Sequence, residues 1–124
     1  MQAERGLAKS ISQEWTFSQD VNDPARLRAK LKEMVEDVAR SLQKRQLVAH
    51  TVTVKFRWAD FTTFTRQRSL EVGIDDAPTI YAVAESIWAE NWPPGQKMRL
   101  LGVGVSKIEA PQVRQLGFNF LDNG

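Results

Sequence analysis

Apolar and polar side chains alternate most clearly between residues 48 and 58 of the chain. A period of two is typical of a β-strand that has one face buried and the other open to solvent. The apolar positions are Val52, Val54, Phe56 and Trp58, and the positions between them hold Thr51, Thr53, Lys55 and Arg57. The pattern therefore predicts a strand whose second face presents hydroxyl groups and cations.

A second strand over residues 62–72 is expected to pair with the first as a hairpin, after a short connection at residues 59–61. Its alternation is ambiguous, because one face would hold two arginines beside apolar side chains, namely Phe64, Arg66, Arg68 and Leu70. Burying two unpaired arginines is prohibitive. Both are therefore expected on the face that holds Lys55 and Arg57. A bulge would then return Leu70 or Val72 to the core.

Two elements precede the hairpin. Residues 9–17 alternate as a half-buried strand, with Ile11, Trp15 and Phe17 on one side and Ser10, Ser12, Glu14 and Thr16 on the other. After a polar loop at residues 18–23, Asp23 followed by Pro24 is a favourable helix start. Up to about residue 46, apolar side chains recur at helical spacing, at Leu27, Leu31, Met34, Val35, Val38 and Leu42.

Two elements also follow the hairpin. A turn at residues 73–78 leads to a helix over residues 79–91, whose inward side chains would be Ile80, Val83, Ala84, Ile87 and Trp88. The last strand, residues 98–108, has Leu101, Val103 and Val105 on one face and Gly102, Gly104 and Ser106 on the other. Glycine in a strand often permits the close approach of another backbone.

The order of these elements predicts an α+β fold of the split βαβ type, βαββαβ, with a four-stranded antiparallel sheet. Right-handed crossovers place both helices on one face of the sheet and leave the other face open. We expect the domain to span residues 9–109. Residues 1–8 are interpreted as a flexible tether or as residues left where a longer chain was cut, and residues 110–124 as a C-terminal tail.

The composition excludes several classes of function. The 124 residues include no cysteine and a single histidine, His50, so neither a thiolate nor a histidine-based metal centre can be built. No run approaches the roughly 18 apolar residues of a membrane span, and the N-terminus lacks the pattern of a signal peptide. We expect a soluble, cytoplasmic protein without a membrane partner, without a cofactor or metal in this segment and without catalytic residues.

Charge is distributed unevenly along the chain, although the net charge is only +2. Residues 24–45 hold seven basic and three acidic side chains, whereas residues 73–95 hold four acidic side chains and no Lys or Arg. Such an asymmetry suggests an oriented electrostatic surface, with one basic and one acidic part.

The predicted open face would combine hydroxyl groups, cations and glycine, at Ser10, Ser12, Lys55, Arg57, Arg66, Arg68, Gly104 and Ser106. Phosphate oxygens bind such donors, and these contacts position a protein on a duplex without reading its sequence. The face has no row of aromatic side chains, which RNA-binding sheets of this topology use to stack unpaired bases. Duplex backbone binding is therefore favoured. The alternative is that a sheet without a second layer is polar on one face whatever its function.

Three segments resemble one known family. They are KSISQEWTF, TVTVKFRWADFTTFTRQRSL and RLLGVGVS, in this order, with a long helix after the first and a shorter one after the second. Together they are similar to the C-terminal little-finger domain of Y-family translesion DNA polymerases of the bacterial polymerase IV type. The resemblance implies a domain that lies along the primer–template duplex, contacts its backbone through the open face and helps the polymerase to copy past damaged bases.

The resemblance also assigns roles to residues. It implies DNA contacts by the eight residues of the predicted open face, from Ser10 to Ser106. Some family members have additional arginines in the last strand, where this chain has Leu100 and Gly104. DNA binding there is expected to be weaker or to depend on main-chain N–H groups. The palm-domain carboxylates that would hold Mg²⁺ for nucleotidyl transfer have no counterpart here, so the parent polymerase core is an expected partner.

The tail resembles the short peptides, beginning with Gln, by which bacterial polymerases bind the sliding clamp. The residues concerned are Gln115, Leu116, Phe118 and Phe120. A flexible peptide of this kind would place apolar side chains in a pocket of the partner. The alternative is that Phe118 and Phe120 pack back on the domain.

A free-standing protein-interaction domain of the same fold is the alternative to a polymerase domain. It would use the apolar tail or an exposed sheet edge. A protein partner bound without any DNA affinity at low salt would favour this alternative, because a domain that binds the DNA backbone has its highest affinity at low salt.

Overall fold

The computed structural model describes residues 10–110 and contains six elements in the order strand, helix, strand, strand, helix, strand. Their bounds are β1 Ser10–Val21, α1 Pro24–Arg45, β2 Val48–Trp58, β3 Thr63–Ile74, α2 Ala77–Asn91 and β4 Met98–Glu109. The strands form one antiparallel sheet in the order β1-β4-β2-β3. The predicted α+β fold with the order βαββαβ is therefore confirmed.

Both helices pack on the same face of the sheet. α1 contacts β1 and β4, α2 contacts β2 and β3, and the helices contact each other. At the centre of this face, Val52, Val54 and Phe56 of β2 are completely buried. No second layer covers the opposite face within residues 10–110. The fold therefore leaves one side of the sheet available for binding.

The sequence at each end of α1 explains its bounds. Asp23 accepts a hydrogen bond at 3.0 Å from the backbone N–H of Ala25, and Pro24 begins the helix, where its missing N–H is not needed. At the other end, Gln46 adopts the left-handed conformation with φ 57° and donates its N–H to carbonyls of the last turn. All six apolar residues predicted for the inner stripe of this helix are buried.

α2 begins two residues earlier than predicted, because Asp76 caps its N-terminus. The Asp76 carboxylate accepts hydrogen bonds from the Thr79 hydroxyl at 2.6 Å and from the Thr79 backbone N–H at 3.0 Å. These hydrogen bonds, that of the hydroxyl first, stabilise the ionised carboxylate and lower the pKa of Asp76 below its ordinary value. The cap therefore fixes the connection between β3 and α2.

β1 is longer than predicted. It continues to Val21, where a polar loop was expected from residue 18 onward. Its register with β4 shifts after Thr16, and Val21 pairs with Met98. Both side chains are buried, so the polar residues before Val21 belong to an irregular strand and not to a loop.

β3 contains the expected bulge, but Ile74 is the residue that returns to the core. The register with β2 shifts between Ser69 and Ile74. Val72 is 73 % exposed, whereas Ile74 packs against the core. Leu70 is half-buried, and its carbonyl oxygen lies 3.1 Å from Nδ1 of His50. The prediction for Val72 was therefore wrong, and the strand runs two residues further than predicted.

Candidate nucleic-acid interface

The register of the strands arranges the outward-facing residues in four rows across the sheet. Directly paired residues of neighbouring antiparallel strands point to the same side. Each row is given in the spatial order β1, β4, β2, β3. The rows are Ser10, Ser106, Thr51 and Ser69; Ser12, Gly104, Thr53 and Gln67; Glu14, Gly102, Lys55 and Thr65; and Thr16, Leu100, Arg57 and Thr63. We call these residues the open face.

Six of the eight predicted DNA-binding residues are part of the open face. They are Ser10, Ser12, Lys55, Arg57, Gly104 and Ser106. The structure also places polar side chains of β3 on this face, namely Thr65, Gln67 and Ser69. The open face is therefore richer in hydroxyl and amide groups, and poorer in cations, than predicted.

The prediction that Arg66 and Arg68 lie on the open face is wrong. Arg66 pairs with Val54 and Arg68 with Val52, and both valines are completely buried beneath the helices. Since paired residues share a face, both arginines point to the helix side of the sheet. Their contact with DNA stays a prediction, and it would have to come from the β3 edge.

The position of β3 at the edge of the sheet removes the burial cost on which the prediction depended. Arg68 donates hydrogen bonds to Ser86 Oγ at 3.0 Å and to Glu90 Oε1 at 2.9 Å on α2. Arg66 is exposed, and its guanidinium lies 4.7 Å from the centre of the Phe64 ring. Both charges therefore remain hydrated or paired at the margin of the core, where the cost of desolvation is small.

The middle of the open face is a shallow trough with a volume of ≈ 260 Å³ and a floor formed by Gly102 and Gly104. A Cβ at Gly104 would lie 2.8 Å from the Ser12 Cβ, so a larger residue would displace β1. β4 is paired on both sides, and its backbone amides are therefore used within the sheet. The main-chain N–H groups of β4 therefore cannot replace arginines in DNA contacts, contrary to the prediction. The hydrogen-bond donors must come from the side chains that line the trough.

Lys55 and Glu14 form an ion pair across this trough, with Lys55 Nζ 2.9 Å from Glu14 Oε2. Gly102 lies between them in the register, and a Cβ there would be 3.1 Å from Glu14 Cγ. The two side chains are 33 % and 48 % exposed, so a dissolved anion can reach the lysine. Alternation along β1 predicted Glu14 on the side of Ser10 and Ser12, but its pairing with Lys55 depends on strand register and was missed.

Arg57 lies in the last row of the open face. Its Nε donates a hydrogen bond to Thr63 Oγ1 at 2.9 Å, and Thr63 Oγ1 donates to the carbonyl oxygen of Phe61 at 3.0 Å. This bond uses one of the five N–H donors of the guanidinium. The planar group is therefore oriented by its neighbours and retains donors suited to a phosphate.

Predictions were also made about a metal site, a membrane-spanning segment and the two ends of the chain. Within residues 10–110, no group of three or more His, Cys, Asp or Glu side chains could hold a metal ion. No helix in that part of the chain is long and apolar enough to cross a membrane. The tether at residues 1–8 lies outside the described residues, and so do the predicted clamp contacts at Gln115, Leu116, Phe118 and Phe120.

A split βαβ sheet, covered by two helices on one face and polar on the other, defines a class of open-faced α+β domain. Residues 8–118 match the family model described as the impB/mucB/samB family C-terminal domain. The chain belongs to this family. The resemblance to the little-finger domain of Y-family DNA polymerases is thereby confirmed.

Named relatives agree with this assignment. The chain is 36 % identical over 112 residues to DNA polymerase IV 2 of Methanosarcina mazei, covering 90 % of this chain and 30 % of the relative. It is 36 % identical over 117 residues to DNA polymerase IV of Halorhodospira halophila, covering 94 % and 33 %. The chain thus spans about a third of the length of these curated relatives.

A solved complex of the beta-clamp processivity factor and the little finger domain of PolIV has the same fold. The likeness has a TM-score of 0.64 at 22 % sequence identity and covers 78 % of this chain and 86 % of that chain. At this level of identity, the likeness shows a shared fold.

Proposed function

We propose that this chain is the DNA-binding domain of a translesion DNA polymerase and that its open face binds the sugar–phosphate backbone of the primer–template duplex. The observation that carries this proposal is the arrangement of the open face in rows of hydroxyl groups, with Lys55 and Arg57 in adjacent rows of β2. Hydroxyl groups, lysine and arginine can donate hydrogen bonds to phosphate oxygens. Buried Thr51, and Thr63, whose hydroxyl donates to the Phe61 carbonyl, are not available for such contacts. Membership of a polymerase domain family supports the same conclusion.

The dimensions of the open face suit a nucleic-acid backbone. Neighbouring strands lie about 4.8 Å apart, and successive rows about 6.7 Å apart, so four rows on four strands span about 20 Å by 14 Å. Such an area can contact several consecutive phosphates. Because its donors are hydroxyl groups and cations on a flat sheet, with no helix to enter a groove, binding is expected to be independent of base sequence.

The affinity of the isolated chain for DNA is expected to be modest. Within the described residues, the open face has two cations, and Glu14 pairs with one of them. Backbone binding depends on counterion release, which scales with the number of phosphates that cations neutralise. A domain of this kind holds DNA in register while another part of the polymerase contributes catalysis.

Nucleotidyl transfer belongs, in this proposal, to the parent polymerase. The curated relatives are DNA polymerases IV, of which this chain covers about a third. Mg²⁺ would be bound by carboxylates of the palm domain, and the described residues do not fit such a site because they contain no suitable cluster. We therefore assign no chemical step to the residues of this chain.

Salt-dependent binding tests the proposal. Fluorescence anisotropy of the 124-residue chain with labelled duplexes of two unrelated sequences should give similar affinities that fall steeply between 50 and 200 mM salt. Arg57→Ala should weaken binding to both sequences and reduce the salt slope by about one phosphate contact, or about 0.9. Lys32→Ala on the exposed side of α1 removes the same charge far from the open face and serves as the matched control.

The two variants separate the competing functions. Equal effects of Arg57→Ala and Lys32→Ala would show that binding follows net charge and not the open face. The absence of duplex binding at 50 mM salt would favour the alternative, a protein-interaction domain of the same fold. Either result would contradict the proposed interface.

A second proposed partner is the bacterial sliding clamp. The little finger domain of PolIV that shares this fold was solved in complex with the beta-clamp, and residues 115–120 have the sequence QLGFNF. Deleting residues 115–124 should abolish clamp binding in a surface-plasmon-resonance experiment and leave duplex affinity unchanged. Clamp affinity that survives the deletion would remove the tail from this proposal.

A further inference from the structure

The loop between β2 and β3 contains an exposed aromatic residue in an unfavourable backbone conformation. Phe61 has φ 72° and is 62 % exposed. Its N–H bonds to the Trp58 carbonyl at 3.0 Å, and the Trp58 N–H bonds to the Thr62 carbonyl at 2.9 Å, which closes a tight turn. Glycine or asparagine is the usual residue at such a position, because an L side chain is strained there. A phenylalanine in this strained conformation suggests that its ring has a use.

The ring of Phe61 is oriented by a cation on one face. The Arg99 guanidinium carbon lies 4.6 Å from the ring centre. Arg99 is itself held by a hydrogen bond from its Nε to Asp20 Oδ1 at 3.0 Å. Because the residue is still 62 % exposed, the opposite face of the ring is open to solvent. We call Phe61 and Arg99 the stacking platform.

The stacking platform is joined to the open face. Arg57, in the last row, bonds to Thr63, which bonds to the carbonyl oxygen of Phe61. On the other side of the turn, the Ala59 N–H bonds to the Lys97 carbonyl at 3.0 Å, which fixes the loop that contains exposed Lys97 beside the hairpin. A flat apolar surface therefore lies at the end of the sheet, beside Arg99 with its carboxylate partner Asp20 and close to exposed Lys97 and Asp60.

We propose that the stacking platform binds one unpaired base of single-stranded DNA, at the point where the strand leaves the duplex on the open face. A flat ring with one face open matches the π-face of any base, and Arg57 can bind the adjoining phosphate. Paired bases are stacked on both faces inside a duplex, so an unpaired base is the partner that such a ring selects. This inference rests on the proposed function, because the open face must bind the duplex first.

Two DNA substrates test the proposal with the 124-residue chain. We expect tighter binding to a duplex with a single-stranded overhang than to the blunt duplex of the same sequence, measured by anisotropy at one salt concentration. Phe61→Gly should remove this preference and weaken overhang binding at least about fivefold, the lower end of what one base–aromatic stack contributes. Affinity for the blunt duplex should be unchanged, and Phe61→Trp should retain the preference.

Trp15→Ala is the matched control. Trp15 is also exposed, at 49 %, and is also covered by a cation, with Lys30 Nζ 3.9 Å from its ring centre. It pairs with buried Leu101 and therefore lies on the helix side of the sheet. Its removal should leave the preference for an overhang intact. Phe61→Gly is expected to fold, because glycine tolerates φ 72°, and circular dichroism checks this.

The outcomes distinguish this inference from the proposed function. Equal binding of blunt and overhanging duplexes by the unaltered chain overturns the stacking platform and leaves backbone binding intact. A preference that survives in Phe61→Gly, or is lost equally in Trp15→Ala, also overturns it. If neither DNA binds at low salt, the proposed function fails first.

Discussion

Replacing Glu14 by Gln tests whether a carboxylate competes with phosphate on the open face. Glu14 Oε2 lies 2.9 Å from Lys55 Nζ, above the glycine floor of the trough. A phosphate oxygen that binds Lys55 must displace this carboxylate or share the lysine with it. Glu14→Gln keeps the size of the side chain and removes its charge, so we expect tighter binding to duplex DNA.

The expected gain follows from the exposure of the pair. Both side chains are about a third exposed or more, and pairs of this kind contribute about 0.2–1 kcal/mol because water and salt screen them. Releasing Lys55 from Glu14 should therefore lower the Kd for duplex DNA by a factor of about 1.4 to 5. The salt slope should steepen by up to about 0.9, since one more cation neutralises a phosphate.

Anisotropy titrations at several salt concentrations measure both quantities. Glu33→Gln is the matched control, because Glu33 also pairs with a lysine, Lys30, at 2.6 Å, but on α1. The control makes the same change in net charge, and its effect on the open face is screened beyond about 10 Å. In a Lys55→Ala background, Glu14→Gln should lose most of its effect. Glu14 does not compete with phosphate at Lys55 if Glu14→Gln gains no more affinity than Glu33→Gln, or if the gain persists without Lys55.

The remaining predictions concern the sheet, the α2 cap and the β3 edge. Gly104→Ala should lower the free energy of unfolding in urea by about 1–3 kcal/mol, because the new Cβ meets β1 at 2.8 Å. Asp76→Ala should remove about 1 kcal/mol at pH 7 by loss of the cap to Thr79. Arg66→Ala should weaken duplex binding less than Arg57→Ala in anisotropy titrations, since Arg66 faces the helix side.

The Asp76 prediction includes a dependence on pH. Because the pKa of Asp76 is lowered in the folded chain, its contribution to stability is present above the ordinary value of 3.8 and is lost as the pH falls through the lowered pKa. The difference in free energy of unfolding between the unaltered chain and Asp76→Ala should therefore narrow as the pH falls below 3.8 and through the lowered pKa. A constant difference down to pH 2 would contradict the cap. An unchanged free energy of unfolding in Gly104→Ala would contradict the prediction for the sheet. Equal losses of duplex affinity in Arg66→Ala and Arg57→Ala would contradict the prediction for the β3 edge.

Periodicity alone predicted the elements because each has one face that must be buried. The six inward residues of α1 and the valines of β2 follow from spacing, and the structure buries all of them. The ends of elements were less predictable. Val21 and Ile74 each follow a register shift, and such irregularities depend on the partner strand and not on the local sequence.

Residues of the candidate site were predicted correctly where the alternation of apolar and polar positions was unambiguous. They were misplaced where the exposure of a side chain depended on the position of its strand in the sheet. Lys55 and Arg57 were placed correctly from the alternation of β2. Arg66 and Arg68 were misplaced because burial was assumed for every inward position, whereas an edge strand leaves long side chains at the margin of the core. Nothing in the sequence indicated the exposed turn position of Phe61, because the turn lacks the glycine that usually marks a residue with positive φ.

The bulge of β3 also affects how copies of this chain can associate. β1 and β3 are the two edges of the sheet, and a regular unpaired edge can accept a strand from a second molecule. In β3 the bulge before Ile74 interrupts the regular backbone, and Arg66 adds an exposed cation. β1 has a register shift of its own after Thr16. Each edge therefore offers a second chain only a short regular stretch, residues 10–16 of β1 and residues 63–69 of β3.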